Sequence, residues 1–248
     1  MSGSHPAAVF FDAYGTLIHF PETPSPFEYM ADAMGRAGLV VPRKRLDDAL
    51  QVEMEYFKSR YGTVRTPSDL DWLRAAGARV YLEVLGDLDE VKIELAHVAD
   101  DLVEAFRARV LPDALPAIEA VRAAGVQVGV LSNFSYLLSM MLDELGLLGL
   151  LDPIVVSAQV GFEKPDPRIF LAAANAVGAE PGDCVLVGDD LISDIGGAQR
   201  VGMPAIWIAR DSVDGPTGVS RVRSLVDAAH MAIGGGWRAL SLTGDVPD

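Results

Sequence analysis

The sequence contains few of the residues that would suggest an oxidising compartment or a nucleic-acid partner. Cys184 is the only cysteine among 248 residues, so no disulfide can form within the chain. Lysine and arginine number 20 against 35 acidic residues, which gives a formal net charge of −15. Such a chain repels phosphate backbones and anionic lipids, so we expect neither nucleic acid nor a membrane as a partner.

Long uninterrupted apolar runs are also missing. The opening MSGSHPAAVFF lacks a basic segment followed by a long apolar stretch, so we expect no signal peptide. The most apolar region, residues 137–156, is interrupted by Asp143, Glu144 and Asp152, unlike a membrane-spanning helix. These absences favour a cytoplasmic protein. Half of the residues are hydrophobic, which is enough for one large domain and a smaller one.

Short apolar runs that alternate with helical segments predict the fold class. Each helical segment (115–124, 136–145, 168–177 and 195–201) is followed at once by a glycine, which is typical of a helix C-terminus. Strands that alternate with helices predict an α/β fold with a doubly wound parallel sheet. The predicted strands are Ala7–Phe11, Val126–Leu131, Ile154–Ser157, Cys184–Gly188 and Ala205–Ala209.

Between Pro21 and Arg109 the pattern changes to alanine, leucine, glutamate and arginine at helical spacing, with no convincing strand. Amphipathic helices are predicted at Asp47–Tyr61, Ser68–Leu85 and Asp89–Val110. A helical block that follows the first strand of a parallel sheet is an inserted domain. We therefore predict a discontinuous core of residues 1–20 and 110–248 and a helical insertion of residues 21–109.

Polar residues follow several of the predicted strands at the point where each strand ends. In open α/β sheets, ligands bind at the carboxyl ends of the strands. Several carboxylates at one sheet edge repel each other, and a divalent cation with oxygen ligands relieves that repulsion. Mg²⁺ prefers a few carboxylates combined with waters and substrate phosphate. The residues placed at this edge are Asp12, Ser132, Asn133, Asp189 and Asp194.

One lysine lies between Asn133 and Asp189 along the chain, in the segment FEKPDP. Lys164 is expected close to Asp12, where its charge would keep the carboxylate ionised and help to neutralise a transferring phosphoryl group. Ser132 and Asn133 offer hydroxyl and amide donors to the same phosphoryl oxygens. An aspartate nucleophile would form an acyl phosphate that water then hydrolyses.

Four segments in this order, FFDAYGTL, LSNFS, EKPDPRIF and GDDLISDIGGAQRVGM, resemble the four motifs of the haloacid-dehalogenase-like hydrolases. The resemblance covers the predicted sheet domain. It implies a Rossmann-like core with a helical cap of the subclass I type inserted after the first motif. That insertion point agrees with the one predicted from the helical pattern alone.

The resemblance also implies roles for single residues in a magnesium-dependent hydrolase. Mg²⁺ would be bound by the carboxylate of Asp12, the backbone carbonyl of Tyr14 and the carboxylate of Asp189. By motif, Asp12 is also the nucleophile, Ser132 binds the phosphoryl group, Lys164 neutralises charge, and Asp194 is a further metal ligand or an orienting group.

Tyr14 is the one departure from the phosphatase pattern, in which a second aspartate two residues after the nucleophile acts as general acid and base. A tyrosine there resembles the 2-haloacid dehalogenases, which displace halide without a metal. The last motif favours the phosphatase, because Asp189 and Asp190 precede Asp194 and suit a cation. A phosphatase acting on a small phosphorylated metabolite is predicted, as a monomer or homodimer, with a dehalogenase or a non-catalytic phosphometabolite-binding protein as alternatives.

Structural roles are the alternative for Asp194, Asp190 and Asn133. Asp194 could serve as the N-cap of the predicted helix 195–201, in addition to or instead of binding a metal. Asp190 is expected to face solvent or to support its neighbours. Asn133 could mainly hold its loop in place.

Overall fold

Two units of unequal size make up the computed structural model. One comprises Met1–His19 and Val110–Asp248, and the other comprises Phe20–Arg109. The structure describes residues 5–20, 24–39, 41–86, 95–210 and 216–240.

Parallel strands form the centre of the larger unit. Six strands make one sheet, and every neighbouring pair is parallel. The predicted α/β fold with a parallel sheet is therefore confirmed. The strands of this sheet are β1 (Ala8–Phe11), β4 (Gln127–Ser132), β5 (Ile154–Val156), β6 (Cys184–Gly188), β7 (Ala205–Ile208) and β8 (Arg221–Val222), and their order is β5-β4-β1-β6-β7-β8. Two further short strands, β2 (Ile18–His19) and β3 (Arg109–Val110), are not part of this sheet.

β1 is the central strand, and its four residues are fully buried. A strand covered on both faces needs apolar side chains on both, which explains the continuous run AVFF. Phe11 lies opposite Val130 of β4 and Val187 of β6. The residues that follow β1, β4 and β6 therefore reach the same edge of the sheet. The five predicted strands are confirmed to within one residue at each end, whereas β2, β3 and β8 were not predicted.

The smaller unit is helical. Ser25 and Thr66 each begin a helix with a capping box. The hydroxyl of the cap residue accepts from the backbone N–H three residues later, and the acidic side chain of that later residue accepts from the backbone N–H of the cap. The first of these helices was not predicted. The third predicted helix ends at Ala105 rather than Val110, and Asp89 lies outside the described residues. The helices are α1 (Pro26–Arg36), α2 (Arg43–Arg60), α3 (Pro67–Leu85) and α4 (Leu95–Ala105).

Helices of the larger unit connect its strands. A π-helix, Leu191–Gly196, follows β6 and leads into α9. The predicted helix 195–201 therefore begins four residues earlier, and its first part is a π-helix and not an α-helix. Among the described residues, no helix has both the length and the apolar character that a membrane span requires. The helices are α5 (Ala114–Ala123), α6 (Leu137–Glu144), α7 (Ser157–Val160), α8 (Pro167–Ala176), α9 (Gly197–Arg200) and α10 (Leu225–Ile233).

Glu53 is a carboxylic acid on the buried face of α2, and 4% of its surface is exposed. Its side chain packs against Gly77 of α3, where a β-carbon would collide with the carboxyl group. Burial raises the pKa of Glu53 to about 7. The α2–α3 interface therefore contains an acid that ionises near neutral pH.

We expect Glu53→Gln to remove a pH dependence of stability. The pKa of Glu53 is higher in the folded protein than in the unfolded chain, so stability falls as the pH rises from about 4.5 to about 7. Between pH 5 and pH 8 this fall is about 2–3 kcal/mol, and the glutamine variant lacks it. Thermal unfolding at both pH values measures the difference.

Glu55→Gln is the matched control, because Glu55 is an exposed residue of the same helix. This control is expected to keep the wild-type pH dependence. Equal pH profiles for wild type and Glu53→Gln would show that Glu53 does not ionise in this range.

Candidate active site

Asp12 is the first residue after β1, and the sheet fixes its backbone. Its N–H donates to the carbonyl of Val187 in β6 over 2.8 Å, which continues the parallel ladder one residue beyond the strand. The residue is 7% exposed. Asp12 is thus a nearly buried carboxylate held between the ends of β4 and β6.

Lys164 is paired with two carboxylates. Its Nζ lies 2.7 Å from Oδ1 of Asp12 and 2.6 Å from Oδ1 of Asp194. The third contact is a 3.1 Å hydrogen bond to the carbonyl of Leu131 at the end of β4. An ammonium group has three protons, so these three acceptors use all of them. The predicted proximity of Lys164 to Asp12 is what the structure shows.

Asn133 places the backbone of Lys164. Its Nδ2 donates to the Lys164 carbonyl over 2.9 Å, and its Oδ1 accepts from the Lys164 N–H over 2.6 Å. This pair of bonds fixes the segment that carries the ammonium group. Of the roles considered for Asn133, holding the loop is the one that the geometry favours.

The charge of Lys164 is set by its two partners. Burial alone would lower its pKa, but the carboxylates of Asp194 and Asp12 raise the pKa above its ordinary value. Lys164 is 5% exposed, so little solvent screens these ion pairs. The lysine remains a cation.

Asp194 lies inside the π-helix Leu191–Gly196 and is 1% exposed. Its Oδ1 accepts from Lys164, and its Oδ2 accepts from the N–H of Asp190 over 3.1 Å. Gly188 lies so close that a β-carbon there would collide with the Asp194 carboxylate. The glycine at the end of β6 therefore leaves room for this side chain.

The helix cap is Asp190 and not Asp194, so the N-cap role considered for Asp194 is wrong. Oδ1 of Asp190 accepts from the N–H of Ile192 over 2.9 Å and from that of Ser193 over 2.6 Å. The physical reason is the early start of the helix, which places Asp194 within its first turns. Asp194 instead faces Lys164.

Asp189 follows β6 and is the exposed member of the cluster. Its Oδ1 accepts from the hydroxyl of Thr16 over 3.2 Å, and its backbone carbonyl accepts from Nε1 of Trp207 over 2.9 Å. Gly15 has φ +83°, and a β-carbon there would collide with the Asp189 carboxylate. The turn after β1 therefore lies directly against Asp189, and glycine permits both its left-handed backbone and this close approach.

The carboxylates of Asp12, Asp189 and Asp194 each offer an oxygen, and these oxygens lie within 4.8 Å of one another. Lys164 neutralises one of the three negative charges. Burial and the charge of Asp12 raise the pKa of Asp189, while Thr16 and Lys164 oppose them. Burial also raises the pKa of Asp194, with the ammonium of Lys164 opposing and Asp12 adding to the rise. Oxygen donors with an excess of negative charge suit a hard divalent cation.

Ser132 ends β4 at the same sheet edge and is 2% exposed. Tyr14 belongs to the turn after β1, and its residue surface is 50% exposed. The sequence interpretation missed Thr16, which is fully buried and bonded to Asp189. A threonine directly after the glycine of that turn was the available signal, since it is polar in an otherwise apolar stretch.

The motif order and this geometry agree with a sequence model of the haloacid dehalogenase-like hydrolases, which matches residues 6–202. The chain belongs to this family. The match includes every residue placed at the candidate site, from Asp12 to Asp194. The resemblance drawn from the four motifs is therefore confirmed.

Similar proteins and structures include phosphatases and a dehalogenase. Glyceraldehyde 3-phosphate phosphatase from Methanopyrus kandleri is 38% identical over 100 residues, which are 40% of this chain and 43% of that protein. A HAD phosphatase structure from Thermococcus onnurineus has 25% identity and a TM-score of 0.59, covering 92% of this chain and 98% of that one. The chain spans about half the length of the curated relatives it matches.

A crystallised 2-haloacid dehalogenase from Pseudomonas syringae pv. Tomato DC3000 has 23% identity and a TM-score of 0.55. The alignment covers 90% of this chain and 96% of that one. This likeness shows a common fold. It does not distinguish the two chemistries of the family.

Proposed function

We propose that this haloacid dehalogenase-like hydrolase is a magnesium-dependent phosphatase that acts on a small phosphomonoester. The observation that carries the proposal is the cluster of three carboxylates around one ammonium, at Asp12, Asp189, Asp194 and Lys164. A metal-free displacement needs the nucleophile and a cation beside it, but gains nothing from two further carboxylates. The phosphatase names of similar proteins support the same choice.

In the proposed first step, a carboxylate oxygen of Asp12 attacks the phosphorus atom and the bond from phosphorus to the ester oxygen breaks. The products are an aspartyl phosphate and an alkoxide that takes up a proton. Water then attacks the aspartyl phosphate and releases inorganic phosphate, which restores the carboxylate. Oδ1 of Asp12 accepts from Lys164, so Oδ2 is the oxygen that we assign to the attack.

Lys164 acts in this proposal through its charge. Its three protons are taken by Asp12, Asp194 and Leu131, so the ammonium stabilises negative charge without donating to the phosphoryl group. A fixed charge in a site with little solvent is worth more than the same charge in water. Ser132 is assigned to hydrogen bond a phosphoryl oxygen through its hydroxyl.

The residues assigned to Mg²⁺ are Asp12, Asp189 and the backbone carbonyl of Tyr14. Bound there, Mg²⁺ would polarise the phosphoryl oxygens and neutralise part of their charge. Both oxygens of Asp194 already accept hydrogen bonds, from Lys164 and from the Asp190 N–H. Of its two assigned roles, orienting Lys164 is therefore better supported than direct metal binding.

A 2-haloacid dehalogenase is the second candidate, and Tyr14 is the observation that favours it. Metal dependence and the released anion separate the two activities, because the dehalogenase reaction releases halide and ignores a chelator. A non-catalytic phosphometabolite-binding protein would release neither anion. The cytoplasm as compartment, and a monomer or homodimer as assembly, stay predictions from the sequence.

Phosphatase activity is expected to require Mg²⁺. Excess chelator should reduce the release of inorganic phosphate to background, and added Mg²⁺ should restore it. Asp189→Asn removes one carboxylate charge from the cluster and should lower kcat/KM by about 10²-fold or more, since the loss of a charged group that stabilises the transition state has effects of this size. Phosphate release from a panel of small phosphomonoesters measures both effects.

The control is Asp183→Asn, which removes a half-buried carboxylate that precedes β6 at its opposite end and pairs with Arg238. It should keep full activity and the same Mg²⁺ requirement. Full activity of the wild type in excess chelator would refute the metal assignment and favour the dehalogenase.

The second functional prediction concerns the leaving group. A positioned general acid typically contributes about 10²–10⁴-fold in rate, and Tyr14 stands where this family's phosphatases carry an aspartate. An ordinary tyrosine pKa of about 10 makes it a poor acid at neutral pH. Aryl phosphates release a phenolate, which is a weak base and needs little protonation. We therefore expect aryl phosphates to be turned over faster than alkyl phosphates.

Tyr14→Asp should narrow this difference by accelerating the alkyl esters selectively, and Tyr14→Phe should leave the preference as it is. The measurement is kcat/KM for one aryl and one alkyl phosphate in all three proteins. Equal rates on both esters in the wild type would show that another residue is the general acid.

A further inference from the structure

Arg210 forms a network of hydrogen bonds at the edge of the sheet. None of the catalytic roles assigned above involves this network. It lies two residues after β7, at the same sheet edge as the carboxylate cluster. Its guanidinium group forms a fork with Asp113, with Nη1 2.9 Å from Oδ2 and Nη2 3.0 Å from Oδ1. Nη2 also donates to the backbone carbonyl of Thr16 over 3.3 Å. One arginine thus joins Asp113 to the turn that follows the nucleophile.

Asp113 is itself held by the fold. It immediately precedes α5, and its Oδ2 also accepts from the N–H of Leu225 at the start of α10 over 2.8 Å. Burial would raise the pKa of Asp113, but the hydrogen bonds from Arg210 and Leu225 outweigh burial and lower it. Asp113 is therefore a charged residue that connects Arg210 to the first residues of α5 and α10.

Thr16 connects this anchor to the candidate metal site. Its carbonyl accepts from Arg210, and its hydroxyl donates to Oδ1 of Asp189 over 3.2 Å. Thr16 is fully buried. Any displacement of its backbone therefore displaces the hydroxyl that orients the Asp189 carboxylate.

A residue of β7 also contacts the backbone of Asp189. Nε1 of Trp207 donates to the backbone carbonyl of Asp189 over 2.9 Å. β7 thus contributes no carboxylate to the cluster, yet residues at its end contact both the Asp189 backbone and the turn that supports the Asp189 side chain.

We propose that Arg210 is a positioning residue, anchored by Asp113, that holds the turn from Asp12 to Leu17 so that Thr16 orients the Asp189 carboxylate towards Asp12. The metal-related part of this inference rests on the proposed function. The positioning of the turn does not depend on it.

Arginine suits this position for a geometric reason. Its planar group presents several donors in fixed directions, so it can form the fork with a carboxylate and still donate to a carbonyl. A lysine would keep the charge beside Asp113 but would lose the fixed fork. Arg210→Lys should therefore hold the turn from Asp12 to Leu17 in part, and Arg210→Gln should not hold it.

The matched control is Arg238→Gln. Arg238 also forms an ion pair with an aspartate, 2.7 Å from Asp183, but this pair lies by the start of β6 at the opposite sheet edge. It therefore reports what the loss of a comparable surface ion pair does to stability alone.

The first measurement is amide hydrogen exchange in the metal-free protein. The N–H groups of Leu17 and Ile18 both donate to the carbonyl of Ala13, over 2.8 and 2.9 Å, so they report the order of the turn. Arg210→Gln should accelerate their exchange by about tenfold or more. Arg210→Lys should lie between wild type and glutamine, and Arg238→Gln should match the wild type.

The second measurement is Mg²⁺ binding by calorimetry, together with steady-state kinetics. Supporting residues of metal sites typically affect affinity or activity by about 10–100-fold, so Arg210→Gln should weaken Mg²⁺ binding by that factor. It should lower kcat while leaving KM for the phosphate ester nearly unchanged, because the turn supports the reacting groups.

Unchanged exchange at Leu17 and Ile18 in both Arg210 variants would overturn the inference, as would an equal change in Arg238→Gln. If Arg210→Gln does not fold, Arg210→Lys carries the same measurements. A wild-type protein that binds no Mg²⁺ would overturn the proposed metal dependence. The exchange rates would then still decide whether Arg210 holds the turn.

Discussion

The ion pairs of Lys164 are the interaction on which the candidate site depends. Removing an ammonium and two carboxylates from water costs several kcal/mol for each ion, and only close pairing with saturated hydrogen bonds offsets that cost. Lys164 meets this condition with Asp12 at 2.7 Å, Asp194 at 2.6 Å and a backbone carbonyl as its third acceptor. Asn133 fixes the backbone of the lysine, and the close approach of Gly188 leaves room for Asp194. The sheet edge is therefore organised around one buried cation.

This pairing leaves the site with an excess of negative charge. One ammonium balances one carboxylate, while Asp12, Asp189 and Asp194 bring three to within 4.8 Å. The remaining charge would repel a phosphate ester unless a divalent cation compensates it. The arrangement that places Asp12 next to a fixed positive charge thus also favours a metal. In the proposed function, this charge balance links the binding of a phosphate ester to the binding of a metal.

Much of the sheet and part of the site could be predicted from the sequence, for reasons that differ by residue. Strands such as β1 are short apolar runs bounded by turns, and parallel strands must end at a common edge, so the position of Asp12 followed directly. Lys164 was expected near it because its segment lies along the chain between the other residues of that edge, where a cation suits a cluster of carboxylates. That Asp190 rather than Asp194 caps the helix could not be predicted, since the π-helix Leu191–Gly196 begins earlier than the predicted helix 195–201. Arg210 was missed because its partners, Asp113 and Thr16, are distant in the chain.

The central claim is that Asp12 becomes phosphorylated during turnover. The most direct test is to quench the enzyme with acid while it turns over a phosphate ester labelled in its phosphoryl group, and then to locate the label by peptide mapping. The account predicts label on the peptide that contains Asp12, and neither label nor turnover in Asp12→Asn with its fold intact. Label on any other residue, or turnover by Asp12→Asn, would contradict it.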